Sequence, residues 1–284
     1  MARTTEPPEA AAERLTGRAV THSRPLSDGL TEAVLDGHDA VVIKRGHGPG
    51  AAPAEAAGLR WLAEPGTVPI PAVHGHDGDW LVIDRVERGQ PGARAAERLG
   101  RGLAKLHASG APAFGAAPPG GPAEAWIGLA PMSTTTGANW ARWFAEQRVL
   151  PYVRRAVDER ILDAREATLI ERACGRFPGL AGPPEPPARV HGDLWNGNVL
   201  WSSGDAWLID PAAHGGHRES DLAMLHLFGC PYFDQVLRSY QEVAPLAGGW
   251  SARIGLHQLF PLMVHTVLFG RSYAGQAISI AQAL

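Results

Sequence analysis

The sequence predicts an α+β protein of two lobes: a small five-stranded antiparallel β lobe over residues 1–88 and a larger, mainly helical lobe over residues 89–284. Three observations carry that reading. Before residue 86, short apolar runs are punctuated by Gly and Asp, the pattern of strands joined by tight turns. After Gly92, Ala and Leu recur at helical spacing, as in "ARAAERLGRGLAKLHASG". Between residues 189 and 210, strand-like alternation returns around one crowded loop, "HGDLWNGN". Hydrophobic residues at 45% and charged residues at 19% allow a sizeable core and exclude global disorder.

"PPEAAAERLTG" opens as a short helix, started by Pro7 or Pro8 and stopped by Gly17. "AVTHSRPL", "LTEAVLDG" and "DAVVIKR" follow as strands separated by turns, and "APAEAAGLRWLAE" is helical. "AVHGHDGDWLVIDRV" adds two strands around an Asp-Gly turn. Residues 18–86 are therefore expected to form five strands with one inserted helix. A connection near 84–92 leads to a helix ending at Gly110. Residues 111–137, rich in Pro, Gly, Ala and Thr, read as a long functional loop. Helices are expected at about 138–157 and 158–175, then a linker, "PGLAGPPEPPA". "NVLWSSGDAWLID" is a hairpin turning at Ser203, Gly204 and Asp205, and the chain is mostly helical from Glu219 on. No internal repeat is visible. A cleft between two such lobes is a common ligand site.

Several function classes drop out. A formal net charge of −3 gives no footprint for nucleic acid or a membrane surface. Cys174 and Cys230 are too far apart in sequence for a zinc spacing or a disulfide framework. The N-terminus lacks the apolar core of a signal peptide, and "LFPLMVHTVLFG" is too short to span a bilayer. A soluble, cytoplasmic protein is expected; the oligomeric state is left open.

His191, Asp193 and Asn198 match H-x-D-x-x-x-x-N, the catalytic-loop pattern of protein-kinase-like phosphotransferases. In that chemistry Asp193 faces an incoming hydroxyl, and Asn198 faces a metal that bridges nucleotide phosphates. Gly192 and Gly197 let the backbone bend between the two tasks, and His191 reads as a scaffold. "WLIDP" brings a second metal-holding carboxylate, Asp210, one hairpin later. In the small lobe, "VVIKR" places Lys44 on a strand, and Glu55 follows in the next helix as its partner. No G-x-G-x-x-G precedes Lys44. The "PLSDGL" turn, with Ser27 and Gly29, is the candidate phosphate loop, and "GHGPG" is a connection. Asp84, where the last small-lobe strand meets the connection, completes the nucleotide-binding candidates. Gly192 replaces the Arg of regulated protein kinases, and "DPA" replaces D-F-G. Both changes point to a small-molecule phosphotransferase without phosphorylation control.

"HGDLWNGN" followed by "IDPAAHGGHRESDLAMLHLFG" resembles the fructosamine kinase (ketosamine-3-kinase) family, as do "AEAAGLRWLA", "LGRGLAKLH", "WIGLAP" and "WARWFAEQRVLP". The resemblance covers nearly the whole chain. It implies a kinase-like fold, ATP with magnesium, and phosphorylation of a free or protein-bound ketoamine at its O3 hydroxyl, leading to deglycation. By motif position, it makes Asp193 the base and Asn198 and Asp210 the metal ligands. Lys44 and Glu55 become the phosphate-orienting pair, and Trp195 a wall of the acceptor pocket. In "HRESDLAM", an Arg218–Asp221 pair is expected to brace the loop and Glu219 to cap the following helix. Direct substrate contact by His217, Arg218 and Glu219 is the alternative. The chain departs from the family pattern at His214 and Gly215, where a tyrosine pair is usual. It also departs at Asp28, in place of a second phosphate-loop glycine, and at Asn196, where Ser is common. Rival readings are a kinase of aminoglycosides or amino alcohols, a non-catalytic kinase-like module, and a metal hydrolase built on His214 and His217.

Overall fold

A computed structural model describes residues 6–37 and 40–284. Helix α1 (Pro8–Thr16) has Pro in its first turn, and Gly17, left-handed, returns its amide to Glu13 to close it. The five small-lobe strands are β1 (Val20–Ser27), β2 (Leu30–Leu35), β3 (Ala40–Arg45), β4 (Val73–His76) and β5 (Trp80–Asp84). They form one antiparallel sheet in the order β1-β2-β3-β5-β4. Helix α2 (Ala51–Ala63) is the single insertion. Alternation along β3 sends Val41 and Ile43 toward α1 and Val42 and Lys44 the other way. Ala52, Ala56 and Leu59 of α2 pack with Leu81 and Ile83 of β5.

The larger lobe begins with α3 (Ala93–Ala108). The segment expected to be a long loop contains a short hairpin, β6 (Ala125–Ile127) and β7 (Ala130–Met132), and a bridge from Phe114 to Gly137. The helix expected at 138–157 is a composite: α4 (Trp140–Phe144), a π turn (Ala145–Val149) and α5 (Leu150–Asp158). Helix α6 (Ala164–Leu180) starts at a capping box between Asp163 and Glu166 and runs through Pro178, beyond its expected end. Strand β8 (Ala188–Val190) pairs with β11 (His214–Gly216), and β9 (Val199–Ser202) with β10 (Asp205–Leu208). Helices α7 (Arg218–Leu227), α8 (Phe233–Val243), α9 (Trp250–Phe269) and α10 (Arg271–Ala283) complete the chain. One core gathers α4 to α6 around α9 and α10; another joins α3 and α8 beneath the β9–β10 hairpin. Among the described residues, no helix is long and apolar enough to cross a membrane.

Candidate active site

The loop between β8 and β9 is held from behind. Asp221 of α7 accepts the amide of His191 at 2.8 Å and that of Gly192 at 3.0 Å. His107 donates to the same carboxylate at 3.1 Å through Nε2, and the Tyr240 hydroxyl fixes the other ring nitrogen at 2.8 Å. Burial pushes the Asp221 carboxyl up, but the bonds from His107 and the Gly192 amide overcome it and hold the group below its ordinary range. Gly192 is left-handed (φ +82°), and a Cβ there would lie 2.2 Å from the Ala212 carbonyl. His191 donates through Nε2 to the Ile209 carbonyl at 3.0 Å and is kept neutral by burial, so it is a scaffold.

This frame presents Asp193 and Asn198. The Asn198 amide donates to the Asp193 backbone carbonyl at 2.8 Å and to its carboxylate at 3.1 Å. With its NH2 group committed, Asn198 has Oδ1 left to face a cation. Burial pushes the Asp193 carboxyl up to about 7, a value suited to a group that takes and returns a proton near neutral pH. Asp210 follows β10 in a left-handed conformation (φ +54°), which Asp adopts more readily than most side chains. Lys44 reaches Asp210 at 2.6 Å and Glu55 at 2.5 Å. Burial works against the ammonium, but the two carboxylates outweigh it and hold Lys44 charged. Glu55 lies one turn inside α2 rather than in its first turn, which turns its side chain toward Lys44.

Two cavities meet at Lys44 and Asp210. One, of about 690 Å³, lies between Val42 and Ile83 of the sheet and Leu200 and Ile209 below, with residues 84–88 along its edge. The other, of about 350 Å³, is lined by Asp193, Asn198, Trp195, Trp126, Leu129, His265 and Phe269, among others. Trp195, Leu129 and Phe269 are among the few exposed large apolar side chains, and all three stand on this second cavity. The Trp195 ring lies over Gly197, where a Cβ would come within 2.2 Å of it. Gly197 thus makes room for the indole, and only Gly192 of the two loop glycines needs a left-handed backbone.

Other expectations need correction. Ser27 ends β1 and Gly29 lies in the two-residue turn Asp28–Gly29 that follows; Leu26 and Leu30, rather than they, line the first cavity. Asp84 borders that cavity, but its carboxylate accepts the Ala72 amide at 2.8 Å and binds His74 at 2.6 Å, bracing β4 against β5. His217, Arg218 and Glu219 line neither cavity. Arg218 pairs with Glu185 at 2.6 Å instead of Asp221. His217, rather than Glu219, caps α7 by accepting the Glu219 amide. Glu219 pairs with Arg253 at 2.5 and 2.9 Å. The ligand atoms of His217, Glu219 and His257 lie within 4.8 Å of one another, close enough to share a metal. The Arg253 guanidinium already fills the cation's place there, which leaves a hydrolase reading without support. Sequence reasoning missed His107 and Tyr240. It also missed the cavity walls Trp126 and Leu129, inside the quoted "WIGLAP", and His265 and Phe269, inside "LFPLMVHTVLFG".

Fold and cleft together define a protein-kinase-like phosphotransferase. The sequence profile of the fructosamine kinase family matches residues 42–284, and the chain belongs to that family. A Synechocystis protein provisionally described as a ketoamine kinase is 33% identical over 79% of this chain and 75% of its own. A protein-ribulosamine 3-kinase of Arabidopsis thaliana is 28% identical over 84% of this chain and 74% of its own. A solved Thermobifida fusca structure, provisionally described as a fructosamine-3-kinase, is 46% identical, with a TM-score of 0.90 over 97% of each chain.

Proposed function

We propose that the protein transfers the terminal phosphoryl group of ATP, with Mg²⁺, to the O3 hydroxyl of a ketoamine. The observation that carries the reading is the shared wall. Lys44 and Asp210 border both cavities, while Asp193 and Asn198 stand on the second. A donor in one cavity and an acceptor in the other would meet at that wall. The residues fit the missing groups. Val42, Ile83, Leu200 and Ile209 suit a flat base. Asn198 Oδ1 and the Asp210 carboxylate are the hard oxygen donors that Mg²⁺ prefers. When bound, the metal neutralises phosphate charge. Lys44, aimed by Glu55, contacts phosphate oxygens. Asp193 orients the acceptor hydroxyl and takes its proton, and Trp195 walls the acceptor's apolar side or its cationic amine.

Outside Glu55, Asp193 and Asp210, Glu124 is the one acid among the described residues lining the acceptor cavity. A polycationic aminoglycoside calls for more. A ketoamine carries a single amine, and a phosphate at C3 makes it labile. Enolisation between C1 and C2 places electron density beside the C3–O bond, phosphate leaves, and hydrolysis of the remaining imine frees the amine. The site then needs no second acid–base constellation. The test is phosphorus NMR and mass spectrometry on enzyme, ATP, Mg²⁺ and a ribose- or fructose-derived ketoamine. The expected product is a phosphorylated adduct that decays to free amine and phosphate after the enzyme is removed. A persistent phosphoester, or phosphate on a terminal hydroxyl, rejects the assignment. We place the protein in the cytoplasm, where its two buried cysteines remain thiols.

A further inference from the structure

Arg148 is a wholly buried cation in the larger lobe. It sits in the π turn Ala145–Val149. The extra residue of a π turn re-aims neighbouring side chains, and such turns recur at functional sites. Its Nη1 donates to the carbonyls of Ser133 at 2.9 Å and Gln147 at 3.2 Å. The guanidinium lies 4.4 Å over the Trp143 ring and 5.7 Å from that of Phe260. Nε and Nη2 have no hydrogen-bond partner among the described residues. A ring face returns only part of what a guanidinium loses on leaving water. Burial draws Arg148 down to about 10, which still leaves it charged at neutral pH. A buried charge of this kind calls for a counter-charge.

One carboxylate shares a small cavity with Arg148. Arg148 shares a space of about 20 Å³ with Asp221, His214 and Ser220, among largely apolar walls that include Trp140, Trp143 and Phe260, and Asp221 is the one carboxylate among the described residues lining it. The volume suits one water. Both Asp221 oxygens already hold the catalytic loop through the amides of His191 and Gly192. We propose that Arg148 is a positioning residue for this loop: it faces Asp221 across a single water and fixes the carboxylate that holds the His191–Gly192–Asp193 turn. Its other contact, with the Ser133 carbonyl just beyond β7, ties the hairpin beside the acceptor cavity to the same point. The activity readout rests on the kinase reading of Asp193; the structural readout does not.

The test uses the full chain with Arg148→Met, Arg148→Gln and Arg148→Lys, and with Asp221→Asn alone and combined with Arg148→Met. Gln retains a donor for the Ser133 carbonyl and guards against a variant that fails to fold. Amide hydrogen exchange at His191 and Gly192 is measured without substrate, and kcat and KM are measured with ATP and a ketoamine. Met and Gln are expected to speed exchange at both amides and to lower kcat about 10- to 100-fold, with the KM for ATP little changed. Lys is expected to restore both. In the Asp221→Asn background, removing Arg148 is expected to add no further loss. Wild-type exchange and kcat in the Met and Gln variants overturn the proposal, as do a Lys variant as impaired as Met or losses that multiply in the double variant. If the wild-type chain phosphorylates no ketoamine, the functional reading fails while the exchange data still decide the role of Arg148.

Discussion

Replacing Glu219 by Gln separates a brace from a substrate contact. The Glu219 carboxyl is buried, which pushes it up, but the nearby His257 ring and the hydrogen bonds from Arg253 outweigh burial and hold it down at about 2. Against an ordinary value of 4.5, and at roughly 1.4 kcal/mol per pH unit, that gap contributes about 3 kcal/mol to the folded state. Side-chain exposures of 4% for Glu219 and 7% for Arg253 leave little solvent screening to discount. An independent route agrees, since removing one partner of a buried ion pair costs about 3–5 kcal/mol. For a chain of this size the variant should melt about 6 to 10 °C lower. The sign of the pH dependence follows from the depressed folded value: the stabilisation is present above 4.5 and is lost as pH falls toward 2. Thermal and urea unfolding should therefore show a constant gap between wild type and Glu219→Gln from about pH 6 to 8, closing below about pH 4.5. The KM for the acceptor should not change. A variant with wild-type stability and an acceptor KM raised about tenfold, a loss of roughly 1.4 kcal/mol in binding, would refute the brace and return Glu219 to the substrate site.

Three further outcomes are expected. Asp193→Asn should lower kcat about 10²- to 10⁴-fold with ATP affinity nearly unchanged, measured by coupled assay and calorimetry. Because the base must be ionised, wild-type kcat/KM should rise through a pH of about 7, and a rate flat from about pH 5 to 9 counts against it. Asp210→Asn should keep its circular dichroism spectrum but lose most turnover, and near-normal rates at saturating Mg²⁺ reject the metal assignment. Trp195→Ala should raise the acceptor KM about tenfold with little effect on the KM for ATP; an unchanged acceptor KM removes the indole from the pocket wall.

Legibility in the sequence followed the range of the interaction. Asp193 and Asn198 share one loop, and Lys44 and Glu55 sit eleven positions apart on consecutive elements. Their chemistry needs fixed residue types at fixed spacing, so the pattern survives in one dimension. Arg218 and Glu219 were misread because their partners, Glu185 and Arg253, lie 33 and 34 positions away in opposite directions. Asp221, three positions from Arg218, was only the nearest opposite charge. The β6–β7 hairpin escaped because three-residue strands show no period. His265 and Phe269 escaped because α9 is apolar on most of its faces, which hides the stretch facing a cavity. Asp84 borders the first cavity, but the β4 histidine that claims its carboxylate had no motif to announce it.

The cleft is tied at both cavities. Where the two cavities meet, Lys44 of the small lobe bonds Asp210 of the larger one. At the second cavity, the Trp126 indole donates to the Pro49 carbonyl at 3.0 Å and packs edge-on to His47 at 4.7 Å. A Cβ at Gly48 would strike that ring at 2.5 Å, so the "GHGPG" connection is the seat of the second tie as well as a link between β3 and α2. Asp193 lines the cavity that both ties border, and desolvation, with the Asp210 and Asp221 carboxylates pushing the same way, raises its carboxyl to about 7.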